Sequence, residues 1–251
     1  MNRQQGMKSL IITCRTIQAE VGKVIEQTEC GFPVIYLESA LHNEPDKLRG
    51  VLQEVLNRVS NVEQVLVVMG YCGNAILGLK PEGFRLVIPR ADDCITMLLG
   101  SQQKRAEVQR TMPTYFLSSG WLTSWEQMER TIFEEYERTI KRYGREKADK
   151  ILRITFKHYK RIGLIDTGEF PLAELMAKAK IHADFLQLKC EVIPGTLDYL
   201  RKFLTGPWDQ DFIVIHPGET IAMEHLFGKE AGHSQAAATP DPKTEEKKHG
   251  R

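Results

Sequence analysis

The sequence predicts a three-layer α/β fold built on a mostly parallel sheet. Two observations carry this. Short β-branched runs alternate with longer helical patterns from Ser9 to about Gly100, and the alternation resumes at Ile162 after a charge-rich helical stretch. Parallel strands joined by helical crossovers produce this rhythm, so the expected architecture is Rossmann-like. A chain of 251 residues with 42% hydrophobic content buries a full core, either as one sheet of about eight strands or as two lobes.

The elements follow in order. SLIITC (9–14) reads as a first strand, with a helix over 15–28; PVIYL (33–37) is a second strand, and PDKLRGVLQEVLNRV carries leucine and valine at helical spacing. QVLVVMG (64–70) and RLVIPR (85–90) are the third and fourth strands, and TYFLSS (114–119) a fifth. A long helix over 120–144 follows, with Thr123 or Ser124 as its cap. Its stripe of Phe133, Tyr136, Ile140 and Tyr143, and the second helical pattern after Gly144, predict a helical hairpin with an aromatic core face. IGLIDT, the helix of FPLAELMAKAKIHADFLQ, CEVIP, the helix of TLDYLRKFL and DFIVIHPG then restore the α/β rhythm.

The expected organisation is a flexible start (1–8), a first α/β lobe (9–124), an inserted hairpin (125–161), a second lobe or continuation of the sheet (162–228) and a disordered polar tail (229–251). The tail is too charged and proline-containing to offset its ordering entropy.

Several classes are excluded at this level. No apolar run approaches the roughly 20 residues of a spanning helix, and the N-terminus lacks the apolar centre of a secretory signal, which sets a cytoplasmic, non-membrane expectation. A formal charge of +1 gives no pull toward nucleic acid. The five cysteines are odd in number and widely spread, so they read as reduced thiols. GYCGNAILG is not the GxGxxG of dinucleotide binding, and no GxSxG supports serine hydrolysis.

The chemistry-bearing residues fall at expected strand ends. In an open parallel sheet, ligands bind at the carboxyl ends of strands, where helix N-termini converge. Cys72 follows the third strand, Cys94 the fourth, and His42 the second. Two thiolates and an imidazole match the donor set of a three-ligand metal site with one open position, so His42, Cys72 and Cys94 are the candidate metal ligands, for zinc or iron. Cys14, at the end of the first strand, reads as packing. Asp92 or Asp93 can cap the helix that carries Cys94, whose dipole would favour its thiolate; either could also act as a general base. Gly70, Gly73 and Asn74 form a turn whose amides could converge on an anion. Arg15 and Arg90 are candidates for the anionic part of a substrate, and Ser118, Ser119 and Trp121 for the pocket wall.

LHNEPDKL, the GYCGN turn, PRADDCITMLLGS and SSGWLT resemble the signature blocks of an uncharacterised family, domain of unknown function 1638. The resemblance runs from about Leu10 to Gly218. It implies a setting in one-carbon or methyl-transfer metabolism, because members are often encoded near corrinoid-dependent methyltransferases, and it makes a corrinoid protein or methyltransferase a candidate partner.

The first functional expectation is therefore a metal-thiolate protein, a metal-dependent transferase, acting on a small substrate. The alternative is a non-catalytic corrinoid-binding or maturation protein with His42 or His216 as axial ligand. The third is a dithiol redox protein using Cys72 and Cys94.

Overall fold

The structure is a computed structural model, and it describes residues 8–123 and 132–227. The expected polar tail, almost all of the expected flexible start and the middle of the expected long helix lie outside the described residues. The described residues up to Ile221 cluster into one compact unit, and those from Ala222 belong to a second. The second unit is described only through its short helix Met223–Phe227.

The first unit holds two sheets. Strands β1 (Ser9–Cys14), β2 (Val34–Leu37), β3 (Gln64–Val68), β4 (Arg85–Pro89) and β8 (Phe212–Ile215) form one sheet in the order β2-β1-β3-β4-β8. Strands β5 (Thr114–Leu117), β6 (Arg161–Asp166) and β7 (Lys189–Pro194) form the other. Every pairing is parallel except that of β8 with β4. The α/β expectation holds, and all eight strands fall where the β-branched runs placed them.

Two strands change partners relative to the sequence order. β5, which falls in the expected first lobe (9–124), pairs with β6, and β8, which falls in the expected second lobe or sheet continuation (162–228), closes the edge of the first sheet beside β4. Short apolar runs do not encode their neighbours, and an antiparallel edge strand is a common closure of a parallel sheet.

The helices are α1 (Gln18–Thr28), entered through a 3₁₀ turn at Arg15–Ile17, α2 (Pro45–Arg58), preceded by a 3₁₀ turn at Ser39–Asn43, α3 (Cys94–Leu99), α4 (Gln102–Thr111) and α5 (Ser119–Thr123). They continue with α6 (Ile132–Tyr143), α7 (Arg145–Phe156), α8 (Leu172–Leu186) and α9 (Asp198–Thr205). Pro45 opens α2 at the position where its missing N–H costs nothing. α4 was not predicted, because its polar sequence QQKRAEVQRT buries only Val108.

β1 and β3 sit at the centre of the first sheet and are almost wholly buried, which explains their unbroken apolar runs. The larger core packs α1, α3 and α9 around them and includes Ile165 and Ile193 of the second sheet. A second core sets α8 and α5 against β5 and β6. The aromatic stripe of α6 is only half-buried: Phe133 packs tilted against Phe185 of α8 at 4.6 Å and Tyr136 meets the same ring edge-on at 5.3 Å, while Tyr143 is 47% exposed. Among the described residues, no helix is long and apolar enough to cross a membrane.

The strand order decides where a site can form. β1 connects to β2 on one side, while β3 pairs with the opposite edge of β1, so the chain reverses its winding direction there. Such a switch point opens a crevice at the carboxyl ends of the diverging strands.

Candidate functional site

A cleft of about 410 Å³ occupies that crevice. Cys14, Cys72, Cys94 and His42 all line it, delivered by the ends of β1, β3, β4 and β2.

Cys14 is the last residue of β1. Its sulfur accepts from the Thr16 amide at 3.5 Å and lies 3.0 Å from Thr16 Oγ1, capping the 3₁₀ turn that leads into α1. Cys72 is positioned by a knitted pair of loops: the Tyr71 amide donates to the Ala91 carbonyl (2.9 Å) and the Cys72 amide to the Asp92 carbonyl (3.0 Å). This extends the β3–β4 register past the strands and holds Cys72 beside the start of α3.

Two glycines make that approach feasible. A Cβ at Gly70 would overlap Asp93 Cα and lie 2.5 Å from Asp93 N and 2.8 Å from Ala91 O. At Gly73 it would lie 2.9 Å from Pro45 Cγ, on a backbone with φ of +68°. Cys72 itself (φ 44°) and Asn74 (φ 67°) share this left-handed run, a conformation that costs a non-glycine residue about 1 kcal/mol or more.

Cys94 is the first residue of α3. Asp93 caps that helix by accepting from the Thr96 amide at 3.0 Å, and its other oxygen pairs with Arg105 of α4 at 2.7 Å. Arg105 also reaches Asp92 at 3.8 Å, and Gln102 donates to the same Asp92 oxygen. Asp93 is thus occupied as helix cap and ion-pair partner, and Asp92 as acceptor for Gln102; both line the cleft.

Burial dominates the thiol electrostatics. It pushes the Cys72 thiol up to about 12, with Cys14 and Asp93 adding to the shift. Cys94 is pushed well above the usual thiol range by burial, then by Asp93, Cys72, Cys14 and Glu20. The expectation that the α3 dipole would favour a Cys94 thiolate is therefore reversed: desolvation and a neighbouring carboxylate outweigh the terminus of a six-residue helix. The same interactions place three sulfurs in one electrostatic neighbourhood.

His42 sits in the turn after β2, at the mouth. Desolvation by the surrounding protein lowers its pKa, opposed by a hydrogen bond to the Ser39 backbone, so its imidazole is favoured neutral with a lone pair available. As the side chains stand, no three His, Cys, Asp or Glu groups among the described residues are gathered closely enough to hold a metal ion.

The other candidates divide. Gly70, Gly73 and Trp121 line the cleft. Arg15 instead pairs with Glu38 (3.0 Å) and bonds Gln18 (3.2 Å). Arg90 donates to the Gln210 carbonyl at 2.9 Å, and Asn74 offers its carbonyl to Arg49 at 3.4 Å; none of these three is among the lining residues. Ser118 and Ser119 are buried behind the wall, where the Ser118 hydroxyl accepts from the Trp121 amide at 3.2 Å. His216 follows β8, and because β8 runs antiparallel its carboxyl end lies at the opposite end of the strands from the thiols.

Sequence reasoning placed Cys14 on the same rim by the strand-end rule but read it as packing; it lines the cleft with the other two thiols. Sequence reasoning missed Tyr115, Phe116 and Tyr159, which enter from around the second sheet and carried no local signal. Below the cleft, Glu20 of α1 is fully buried and accepts from the Gly120 amide of α5 at 2.9 Å. Burial raises its pKa, against hydrogen bonds from Gly120, Ser118 and Ser119.

The model of one family, described as a protein of unknown function, DUF1638, matches residues 36–204. That span includes His42, Cys72 and Cys94, with Cys14 lying before it. A comparison with curated proteins returns no match.

Proposed function

We propose that this chain, which belongs to the DUF1638 family, is a metal-thiolate protein acting on a small substrate at the switch-point cleft. One observation carries the reading: Cys14, Cys72 and Cys94 converge on one crevice with His42 at its mouth.

The donor set suits a thiophilic cation such as zinc or iron. Without a cation the buried thiols hold their protons, and such thiols are poor nucleophiles. A bound cation would favour the thiolates and act as a Lewis acid toward the substrate. His42 and the sulfurs of Cys72 and Cys94 would hold it, with Cys14 as an added donor. Because the side chains are not gathered for coordination as they stand, binding requires their reorientation, and the left-handed Cys72 turn is the segment that would adjust. The one-carbon setting, with a metal-dependent transferase working beside a corrinoid protein or methyltransferase, follows from the resemblance of the signature blocks. The cleft volume favours a small ligand over a whole corrinoid, which would have to lie across the mouth.

Dithiol redox is the second reading, favoured by the proximity of the three sulfurs. Two thiols would become one disulfide, releasing two protons and two electrons to an external disulfide.

Elemental analysis of protein purified without air tests the first reading. About one equivalent of zinc or iron is expected, lost in the Cys72→Ser, Cys94→Ser double variant. No stoichiometric metal, or no loss in that variant, refutes it. Thiol counting before and after mild oxidation tests the second, which requires two thiols to disappear together.

A further inference from the structure

The cleft is lined by rings as well as sulfurs. Tyr115 of β5, Trp121 of α5 and Tyr159, just before β6, all border it, and Tyr115 and Trp121 pack on the same face of β5, against the second core. These rings are braced from behind: Tyr115 meets Phe156 and Tyr159 edge-on, each at 5.4 Å, and Trp121 meets His182 edge-on at 5.2 Å. A wall of rings fixed in advance loses little entropy when a ligand arrives.

The charge of the lining points the same way. Among the described residues it contains three carboxylates, Glu38, Asp92 and Asp93, and one guanidinium, Arg105. Arg15 engages Glu38 from outside the lining, and Arg105 is shared between Asp92 and Asp93. One carboxylate is left in excess. The arginines that the sequence offered to an anion are engaged elsewhere, Arg15 with Glu38 and Arg90 with the Gln210 carbonyl. An anionic ligand would therefore meet a negative, aromatic cavity.

Resting on the reading of this cleft as the substrate site, we propose that it selects a small methylated ammonium cation, held against the Trp121 and Tyr115 rings. A quaternary or tertiary ammonium carries positive charge on an apolar, weakly hydrated surface, and aromatic faces attract such a cation without needing to hydrogen-bond it. A primary ammonium or a hydrated metal ion would lose hydration that these rings cannot replace. The cavity volume admits a ligand of this size with room for a cation at the sulfurs.

The test is calorimetric titration of metal-free, full-length protein with three probes of nearly one shape: tetramethylammonium, neutral tert-butanol and anionic pivalate. Saturable binding of tetramethylammonium is expected, at least tenfold tighter than either of the others. Trp121→Leu should weaken it about tenfold while leaving tert-butanol within twofold, and Trp121→Phe should retain most of it. Equal or tighter binding of tert-butanol or pivalate, an unchanged Trp121→Leu variant, or no saturable tetramethylammonium binding by wild type overturns the proposal. Zinc stoichiometry, measured on the protein as purified before the metal is removed, moves independently. A cation-selective cleft without metal would overturn only the metal-thiolate reading, and a metal site without cation selection only this one.

Discussion

Replacing Gly70 by alanine should damage both the fold and the site, by an amount the geometry sets. The added methyl would overlap Asp93 Cα and lie 2.5 Å from Asp93 N and 2.8 Å from Ala91 O. All three are backbone atoms, which cannot rotate aside, so the loops after β3 and β4 must separate. Overpacking of this kind costs up to about 3 kcal/mol. Separation also weakens the two amide bonds from Tyr71 to Ala91 and from Cys72 to Asp92, each worth about 1 kcal/mol net. The expected loss is about 4 kcal/mol, or roughly 8–16 °C in Tm for a chain of this size. Thermal denaturation followed by circular dichroism measures it, with Gly31→Ala as control, since a Cβ there meets nothing within 4 Å. If Gly70→Ala melts within 2 °C of wild type, the loops do not approach as described, and the placement of Cys72 beside Cys94 loses its basis.

Other outcomes follow from the buried charges. With its pKa pushed from 9.0 to about 12, Cys72 should be alkylated by iodoacetamide about a thousandfold more slowly at pH 7.5 than an ordinary thiol, with the rate still rising at pH 10; a plateau near pH 9 in peptide mapping would contradict the burial. The native state holds that proton after the unfolded chain has released it, so the contribution to stability is complete below pH 9 and lost as pH rises toward 12. Glu20, raised by burial, obeys the same sign: its neutral form contributes fully below pH 4.5, and that contribution is lost as pH rises through its folded pKa. Glu20→Gln should therefore stabilise the protein at pH 8 relative to wild type and flatten the profile above pH 4.5, and an unchanged denaturant midpoint at pH 8 would count against a raised Glu20 pKa. Arg161, which donates to Thr114 Oγ1 (2.7 Å) and the Val108 carbonyl (3.3 Å) and pairs with Glu191 (2.5 Å), should cost about 3 kcal/mol on replacement by leucine; a loss under 1 kcal/mol in urea melts would show that those partners are satisfied without it.

Read alone, the sequence determined the local elements. A run such as VLVV has no helical periodicity and no polar face, so β3 was legible as a buried strand, and the Pro45 start of α2 was legible from backbone chemistry. The strand-end rule located His42, Cys72 and Cys94, because the position of a residue just past a strand is a local property. Pairing was not local. β8 joins the first sheet antiparallel across more than 120 residues of intervening chain, which reverses the end at which His216 emerges, and β5 leaves for the second sheet, from which Tyr115 and Phe116 reach the lining of the cleft. Ionisation was not local either. The start of α3 suggests a reactive Cys94, yet the packing that surrounds it and the Asp93 carboxylate beside it keep the thiol protonated. Burial, partner and charge neighbourhood are sums over distant residues, and only the folded chain evaluates them.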